Sequence, residues 1–543
     1  MGVGLLASCA MTARTSFRTL PATDRRRFLS LAGGSAIGLA FSLAMPRPAS
    51  ASSDGVLPYP FTQGVASGDP VEDAVVIWTR IAPAPLLPNG GLDEGARVRV
   101  DWQVAEDERF HRVVRSGTAT TSADTSHTVH VDVRGLRPGR VYWYRFRAGG
   151  HLSEIGRTRT MPTRQSMRPL RFAVASCQNW RAGYFQTMAD VVDQDTELML
   201  FVGDYLYEYP VQQLAVGRHI DPNLPAEVVP TTMSLDQYRL RYALYRTDPD
   251  LLAAHSAMPW ILSWDDHEVA NDYESWSTPD LDRRAAAYRA YWEFLPIRWP
   301  QPPRGSDARL YRRFRHGRLA QIDVLDTRQY RDPMVTGGAA ADQGPRRDPA
   351  RVMLGAEQER WFAAGFGAEP ARWNLVAQQI LMARLNTSAD LETPATFSPG
   401  TWDGYQAGQQ RLFDTVATSQ ARGTSSNFVV LSGDVHCSYV SDIAADTTDP
   451  TSRVIGAEIT STSITSAQDF NPVANEARQV RRRVNPSLKW ADLHCGYVLC
   501  DLDADRLHAD VRVVDKVSRH DDPVFTAASF EVYNGSPGIH RTT

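Results

Sequence analysis

Lysine is nearly absent from this chain: of 58 basic residues only Lys489 and Lys516 are lysine. Acidic residues outnumber basic ones, 62 to 58, for a formal net charge of -4. There is no basic surplus of the kind that grips nucleic acid. Cysteine is scarce as well, five in 543 residues, which excludes a disulfide-dense miniprotein. No repeat, heptad pattern or low-complexity tract runs through the sequence, and its composition is neither collagen-like nor disordered. Beyond residue 51 no apolar run reaches the roughly 20 residues that span a bilayer. No basic amphipathic helix stands out to hold a membrane face. What is present is 43% hydrophobic and 9% aromatic, and at roughly 100–200 residues per domain the length suggests two to four domains.

The first 51 residues read as an export signal rather than as part of the fold. Arg25, Arg26, Arg27, Phe28 and Leu29 precede a small-residue apolar run from Leu31 to Met45, and Ala49-Ser50-Ala51 offers a cleavage site. An ordinary buried helix would not need a charged front and an A-x-A end. The pattern predicts a twin-arginine leader, engagement of the Tat translocase and a secreted mature chain. Cleavage would remove six Arg and one Asp and leave a net charge of -9. Four cysteines remain, Cys177, Cys437, Cys495 and Cys500. Cys495 and Cys500 flank the strand-like Gly496–Leu499, which would hold their Cα atoms ~16 Å apart, too far to bridge.

From about Pro58 to Arg159 short alternating segments such as Val98–Val104 and His130–Val133 are separated by turn residues. Leu136, Pro138, Gly139, Tyr142, Tyr144 and Phe146 form a turn followed by alternating aromatics, as in the tyrosine corner of a small sandwich. This predicts an all-β sandwich over residues 52–160. Met161–Pro169 reads as a linker, after which apolar strands alternate with helices to give an α/β layer domain over 166–520. Ser234 with Gln237 forms a capping box, and Asp248-Pro249 starts a further helix. Residues 521–543 form a C-terminal segment.

Four apolar strands run into reactive residues. The first ends in Ser176-Cys177-Gln178 and the second in Gly203-Asp204-Tyr205-Leu206-Tyr207. The third ends in Asp265-Asp266-His267-Glu268, with Asn271 close behind, and the fourth in Gly433-Asp434-Val435-His436. Ligands bind in the crevice outside the carboxyl ends of strands in open α/β sheets. An Asp in such a place is often only a turn or cap residue. Carboxylates, imidazoles, a thiol and a phenol at four strand ends together point to a metal centre. Cys thiolate and Tyr phenolate suit a trivalent ion such as Fe³⁺, whereas Asp and Asn oxygens suit Ca²⁺ or Mg²⁺. Asp204 lies between the two ligand types and could bridge two ions. A pair of cations in such a site activates water against a phosphate ester.

The motif Gly203-Asp204-x-x-Tyr207 resembles the GDxxY motif of the calcineurin-like metallophosphatases. More narrowly, the chain resembles the PhoD-like alkaline phosphatase/phosphodiesterase family. The resemblance rests on Phe61–Pro70, Ala175–Gln178, Trp264–Val269, Leu325–Arg331, Leu354-Gly355-x-x-Gln358-x-x-Trp361 and Ser432–His436, which follow in order along the mature chain. It implies a core of two mixed β-sheets flanked by helices behind a small fibronectin III/Ig-like sandwich. It also implies an Fe³⁺/Ca²⁺ centre acting on phosphate mono- or diesters. Cys177, Asp204, Tyr207 and His436 would hold iron. Asp204, Asp434 and either Asp266 or Asn271 would face calcium. His267 would sit over the phosphate as a ligand or proton donor, and Arg328 would neutralise a phosphate oxygen. The tail Phe530–Gly538 resembles a family segment near the active site.

Asp266 and Asp434 stand where the wider superfamily carries Asn and His, which makes the second site harder and favours calcium over zinc or manganese. Cys437 fits no ligand role and reads as a packed thiol. Two other functions fit parts of the pattern: a phospholipase D-like diesterase acting on lipid head groups, and a cell-surface binding protein with a decayed catalytic domain.

Overall fold

The computed structural model describes residues 57–542 apart from 275–279, 299–302, 336–343, 389, 391, 393–394 and 426. The leader and its twin arginines lie outside the described residues. In chain order the N-terminal strands are β1 (Val65–Gly68), β2 (Ala74–Arg80), β3 (Arg97–Ala105), β4 (Val113–Ser122), β5 (Thr128–Arg134), β6 (Val141–Ala148), β7 (His151–Leu152) and β8 (Gly156–Arg159). There follow β9 (Leu170–Ala175), α1 (Thr187–Asp193), β10 (Leu198–Phe201), α2 (Leu235–Tyr245), α3 (Pro249–Ala257), β11 (Pro259–Leu262), α4 (Leu281–Phe294), β12 (Arg312–His316) and β13 (Ala320–Val324). The last part holds α5 (Gly355–Gly365), β14 (Trp373–Ala377), α6 (Gln406–Ala421), β15 (Asn427–Ser432), β16 (Ser438–Ala444), β17 (Val454–Thr460), α7 (Pro472–Val484), β18 (Leu488–Asp492), β19 (Cys495–Leu502), β20 (Arg506–Val514), β21 (Phe525–Tyr533) and β22 (Ser536–Arg541).

Among the described residues these strands form a ten-stranded sheet, β22-β21-β20-β19-β9-β10-β11-β1-β2-β5, a seven-stranded sheet, β12-β13-β14-β15-β17-β16-β18, and a five-stranded antiparallel sheet, β4-β3-β6-β7 with β8 also on β6. The two larger sheets are mixed. The central strands β9, β10 and β11 run parallel, as do β13, β14, β15 and β17. Successive side chains of a strand point to opposite faces, and here both faces are covered, so the strands read as unbroken apolar runs. Phe172 and Val174 of β9 face inward with Ile322, Leu375, Val429 and Leu431 of the other sheet. Ala173 and Ala175 face outward, in a core with Tyr238, Tyr242, Leu251 and Tyr288 from α2, α3 and α4. On the far side Val376, Phe428 and Val430 pack against Phe362, Leu412 and Val416 of α5 and α6. The result is two sheets between helical layers, as the sequence pattern predicts.

The helix starts follow their caps. Gln237 N–H bonds Ser234 Oγ while Gln237 Oε1 accepts from Ser234 N–H, and Asp248 Oδ1 accepts from the first turn of α3. Cys495 and Cys500 both lie in β19, and all four cysteines among the described residues are buried free thiols. No helix among the described residues is long and apolar enough to cross a membrane.

Three features differ from the sequence reading. The N-terminal sandwich is present, with Val75, Ile77 and Val133 packed on Val100, Val104, Tyr144 and Phe146. The Tyr142 hydroxyl accepts from Arg137 N–H at 2.8 Å as the tyrosine corner requires. Yet β1, β2 and β5 are also the end of the ten-stranded sheet, because β1 pairs in parallel with β11. The sandwich therefore shares a sheet with the α/β core. Second, the C-terminal hairpin does not approach the reactive strand ends. Gly535 N–H bonds Asn427 Oδ1, at the amino end of β15, whereas Asp434 follows its carboxyl end. Third, α7 is a basic helix that the sequence reading overlooks, with Arg478, Arg481, Arg482 and Arg483 in its last two turns. Asn471 caps it and Pro472 opens it, and Val473, Ala477, Val480 and Val484 fall at i, i+4, i+7 and i+11 as a narrow apolar stripe opposite the arginines.

Candidate metal centre

The four strand ends meet. Cys177 N–H bonds Gly203 O at 3.1 Å and Gln178 N–H bonds Asp204 O at 3.0 Å, which ties the first loop to the second. Glu268, from the third, is buried and accepts from Asp204 N–H, Tyr205 N–H and Asp265 N–H. The fourth comes across from the other sheet, and Gly433 sits so close that a Cβ there would lie 2.7 Å from Ser176 Cβ. Gly203 is equally constrained: its φ is +118° and a Cβ would stand 2.5 Å from Asp265 Cβ. These contacts account for both glycines of the Gly-Asp pairs.

The side chains are aimed by strained backbone. Cys177, Asp204, Asp434 and His436 have φ of 59°, 58°, 64° and 51°. Left-handed conformations in non-glycine residues cost on the order of 1–3 kcal/mol each and are retained where surrounding structure enforces them. Here each turns a side chain from the strand direction into the shared crevice.

Two kinds of cluster result. Ligand atoms of Cys177, Asp204 and His436 all lie within 4.8 Å of one another, as do those of Asp204, Asp266 and His267, and those of Asp265, Asp266 and Asp434. The Tyr207 hydroxyl joins the first group, 2.8 Å from Asp204 Oδ2 and 2.9 Å from His436 Nε2. Asp204 Oδ1 faces the other way and accepts from His267 N–H at 3.3 Å. One oxygen of Asp204 thus serves each side.

The electrostatics show a deficit of positive charge. Burial and then the Asp204 carboxylate push the Cys177 thiol well above its ordinary range. Burial raises the Tyr207 phenol, with Asp204 adding to it. Burial also raises Asp265 and Asp434, against the opposing Arg328 guanidinium. Burial drives the Glu268 carboxyl up to about 8, reinforced by Asp204. Only Asp266 is lowered: burial opposes it, but Arg328 and His267 outweigh that cost. Burial would lower the His267 imidazolium, yet the carboxylates of Asp204, Asp266 and Glu208 hold it well above its ordinary value. Buried like charges of this kind are relieved by a bound cation. The residues fit metal ions in number, burial and chemistry.

The structure brings together Cys177, Asp204, Tyr207, Asp266, His267, Asp434 and His436. It does not bring in Asn271. That side chain is exposed, accepting from the Tyr209 hydroxyl at 3.0 Å and donating to Asp272. Arg328 is fully buried, with its Nε on Asp265 and one Nη2 on Asp434. Its Nη1 makes no hydrogen bond, and Asp272 Oδ1 lies 3.8 Å away. Cys437 is fully buried among Leu381, Leu385 and Tyr439, a packed thiol.

Four participants have no role in the sequence reading, although two of them, Asp265 and Glu268, stand in the third reactive strand end. Asp265 completes the acidic cluster, and Glu268 ties the loops. Glu208 Oε2 holds His267 Nδ1 at 2.7 Å, while its Oε1 accepts from Asn271 N–H. The Ser466 hydroxyl lies 2.7 Å from both the Tyr207 hydroxyl and the Cys177 carbonyl. Glu208 follows the Gly-Asp-x-x-Tyr motif directly, and that adjacency is its one local signal. Ser466 has none, because it arrives from the turn after β17.

Comparison with known proteins agrees with this geometry. Residues 172–511 match the model of the PhoD-like phosphatase family, and residues 48–162 match that of the PhoD-like phosphatase N-terminal domain. The chain is 38% identical over 537 residues to alkaline phosphatase D of Bacillus subtilis, covering 96% of this chain and 89% of that protein. A solved structure of PhoD superposes with a TM-score of 0.82 at 37% identity, over 90% of this chain and 92% of that one. A purple acid phosphatase, PPD1 from yellow lupin seeds, shares the fold at a TM-score of 0.53 and 12% identity, over 88% and 74% of the two chains. With its reactive strand ends intact, the chain is no decayed relative: it belongs to the PhoD-like phosphatase family and is a phosphoric ester hydrolase.

Proposed function

We propose that the enzyme is a secreted phosphomonoesterase and phosphodiesterase working with Fe³⁺ and Ca²⁺. Iron would be held by Cys177, Asp204, Tyr207 and His436, and calcium by Asp204, Asp266 and Asp434. The observation that carries the reading is Asp204, which belongs both to the cluster with Cys177 and His436 and to the cluster with Asp266 and His267, its Oδ2 on the Tyr207 phenol and its Oδ1 on His267 N–H. When bound, the cations supply charge neutralisation at phosphate oxygens and acidification of a water. The chain's own groups do the rest. Glu208 fixes His267 through Nδ1 and leaves Nε2 to face the ester. Arg328, anchored by Asp265 and Asp434, would turn its Nη1, which makes no hydrogen bond and only a long 3.8 Å ion pair with Asp272, to a phosphate oxygen.

Metal analysis of the purified protein together with hydrolysis of nitrophenyl phosphate and bis(nitrophenyl) phosphate tests the reading. Chelating calcium should abolish turnover while iron stays bound, since carboxylate oxygens release Ca²⁺ more readily than thiolate and phenolate release Fe³⁺. Added Ca²⁺ should restore the rate. Recovery with Zn²⁺ or Mn²⁺ but not with Ca²⁺ would refute the hard second site.

Secretion rests on the leader. Replacing Arg25 and Arg26 together with Lys should leave active enzyme inside the cell, because the twin-arginine pair is what the translocase reads. Fractionation followed by an activity assay checks this, and normal export of the double variant would rule out the Tat assignment.

A further inference from the structure

A cavity of about 270 Å³ opens beside the metal centre and ends on α7. Arg328, Asp434 and Asp272 line its inner end, and Arg478 and Arg481 line its outer end. The two arginines lie three residues apart on one helix face. Both donate through Nη1 to the Tyr439 hydroxyl, at 3.2 and 2.7 Å. That phenol stands on a buried ring, three residues beyond His436 in the strand that leaves the metal loop. It therefore fixes both guanidinium groups against the same sheet that carries the metal ligands.

Neither arginine has an ion-pair partner among the described residues. Each guanidinium has five N–H donors and a single phenol oxygen cannot satisfy them. A third carboxylate in the lining, Asp403, is buried and its Oδ2 is taken by Leu385 N–H. Asp272 and Asp434 sit at the inner end by Arg328. The outer end thus holds two oriented, half-buried cations facing a space continuous with the catalytic crevice. Planar guanidinium forks of this kind match phosphate oxygens.

We propose that this cavity is a second anion subsite, which takes a phosphate group of the substrate remote from the ester being cleaved. It deepens the hydrolase reading above, on which it rests, by naming the preferred substrates as esters whose alcohol carries a further phosphate.

The test measures binding separately from turnover. Short α,ω-alkane bisphosphonates and the matching monophosphonates, which cannot be hydrolysed, are titrated calorimetrically into the metal-loaded enzyme. The best bisphosphonate should bind roughly 10–100-fold more tightly than its monophosphonate, the range expected for hydrogen bonds to charged groups. The double variant Arg478→Gln/Arg481→Gln should lose that ratio, and Arg478→Lys/Arg481→Lys should recover part of it. In turnover, the ratio of kcat/KM for an alkanediol bisphosphate over nitrophenyl phosphate should fall by a similar factor in the Gln variant. Equal affinity of both ligand classes for the wild type, or an undiminished ratio in the Gln variant, overturns the subsite. Failure of the wild type to hydrolyse any phosphate ester would instead overturn the hydrolase reading, with the binding ratio still deciding the subsite.

Discussion

Purified enzyme should be coloured without added cofactor, and Cys177→Ser should bleach it. Ferric iron bound to a thiolate or phenolate absorbs visible light by ligand-to-metal charge transfer, and Cys177 and Tyr207 both face Asp204 and His436. In the metal-free protein burial holds the Cys177 thiol protonated. Only a strong Lewis acid would convert it to the thiolate that ligates. Serine keeps the shape but not the soft, anionic sulfur, so iron affinity should drop by at least about 10–100-fold, the cost of losing even an outer-shell partner. Activity should fall with it. Tyr207→Phe separates the two ligands. Its ring stays packed on His267, with centroids 4.0 Å apart, while the oxygen that meets Asp204, His436 and Ser466 is lost. The band should shift rather than vanish, with the thiolate contribution left behind. Visible spectra and iron content of the three proteins decide the matter. A colourless, iron-free and fully active wild type would return Cys177 and Tyr207 to the status of packed core residues.

How much of this was legible follows from whether the determining contacts are local. The central strands announce themselves because burial on both faces leaves runs such as Leu198–Phe201 with no polar position. The reactive strand ends are legible for the converse reason: Cys177, Asp204, Asp266 and Asp434 are polar groups placed directly after such runs. Separation along a strand is local as well, so Cys495 and Cys500 could be excluded as a pair. The capping residues Ser234 and Asp248 act within three residues of their own helices. By contrast, the parallel pairing of β1 with β11 joins segments about 190 residues apart, and alternation within β1 says nothing of its neighbour. The same holds for the C-terminal hairpin, whose turn docks on Asn427. Asn271 follows His267 closely enough to suggest a ligand, but the turn after it aims the amide at Tyr209 and Asp272. Ser466 reaches the site from the turn after β17 and Arg478 and Arg481 from α7, and nothing in their own segments says that they dock beside the reactive strand ends. Arg328 was legible as a site residue, while its burial among four carboxylates was not.

His267→Ala should lower kcat by roughly 10²–10⁴, the range for loss of a general acid, while metal content stays near that of the wild type. The imidazole is placed for this task. Its backbone N–H bonds Asp204 Oδ1 and its Nδ1 is held by Glu208, while Tyr207 and Tyr209 flank the ring. A residue so enclosed has few alternative orientations, so Nε2 is held in one direction before substrate arrives. If that nitrogen delivers a proton to the departing oxygen, the deficit depends on how much help the oxygen needs. The loss should be large for alkyl esters and small for a nitrophenyl ester, whose leaving group departs without a proton. Glu208→Gln keeps a hydrogen-bonding partner near Nδ1 and removes its charge, so it should fall between wild type and His267→Ala and show the same dependence on leaving group. Glu208→Ala frees the ring and also the Asn271 N–H, so it should approach the His267 variant. The measurement is a leaving-group series of phosphate esters for each protein, with metal content determined on the same samples. A deficit that is equal across the series would assign His267 to holding the phosphate rather than to protonating the alcohol, and loss of metal in His267→Ala would place it among the ligands.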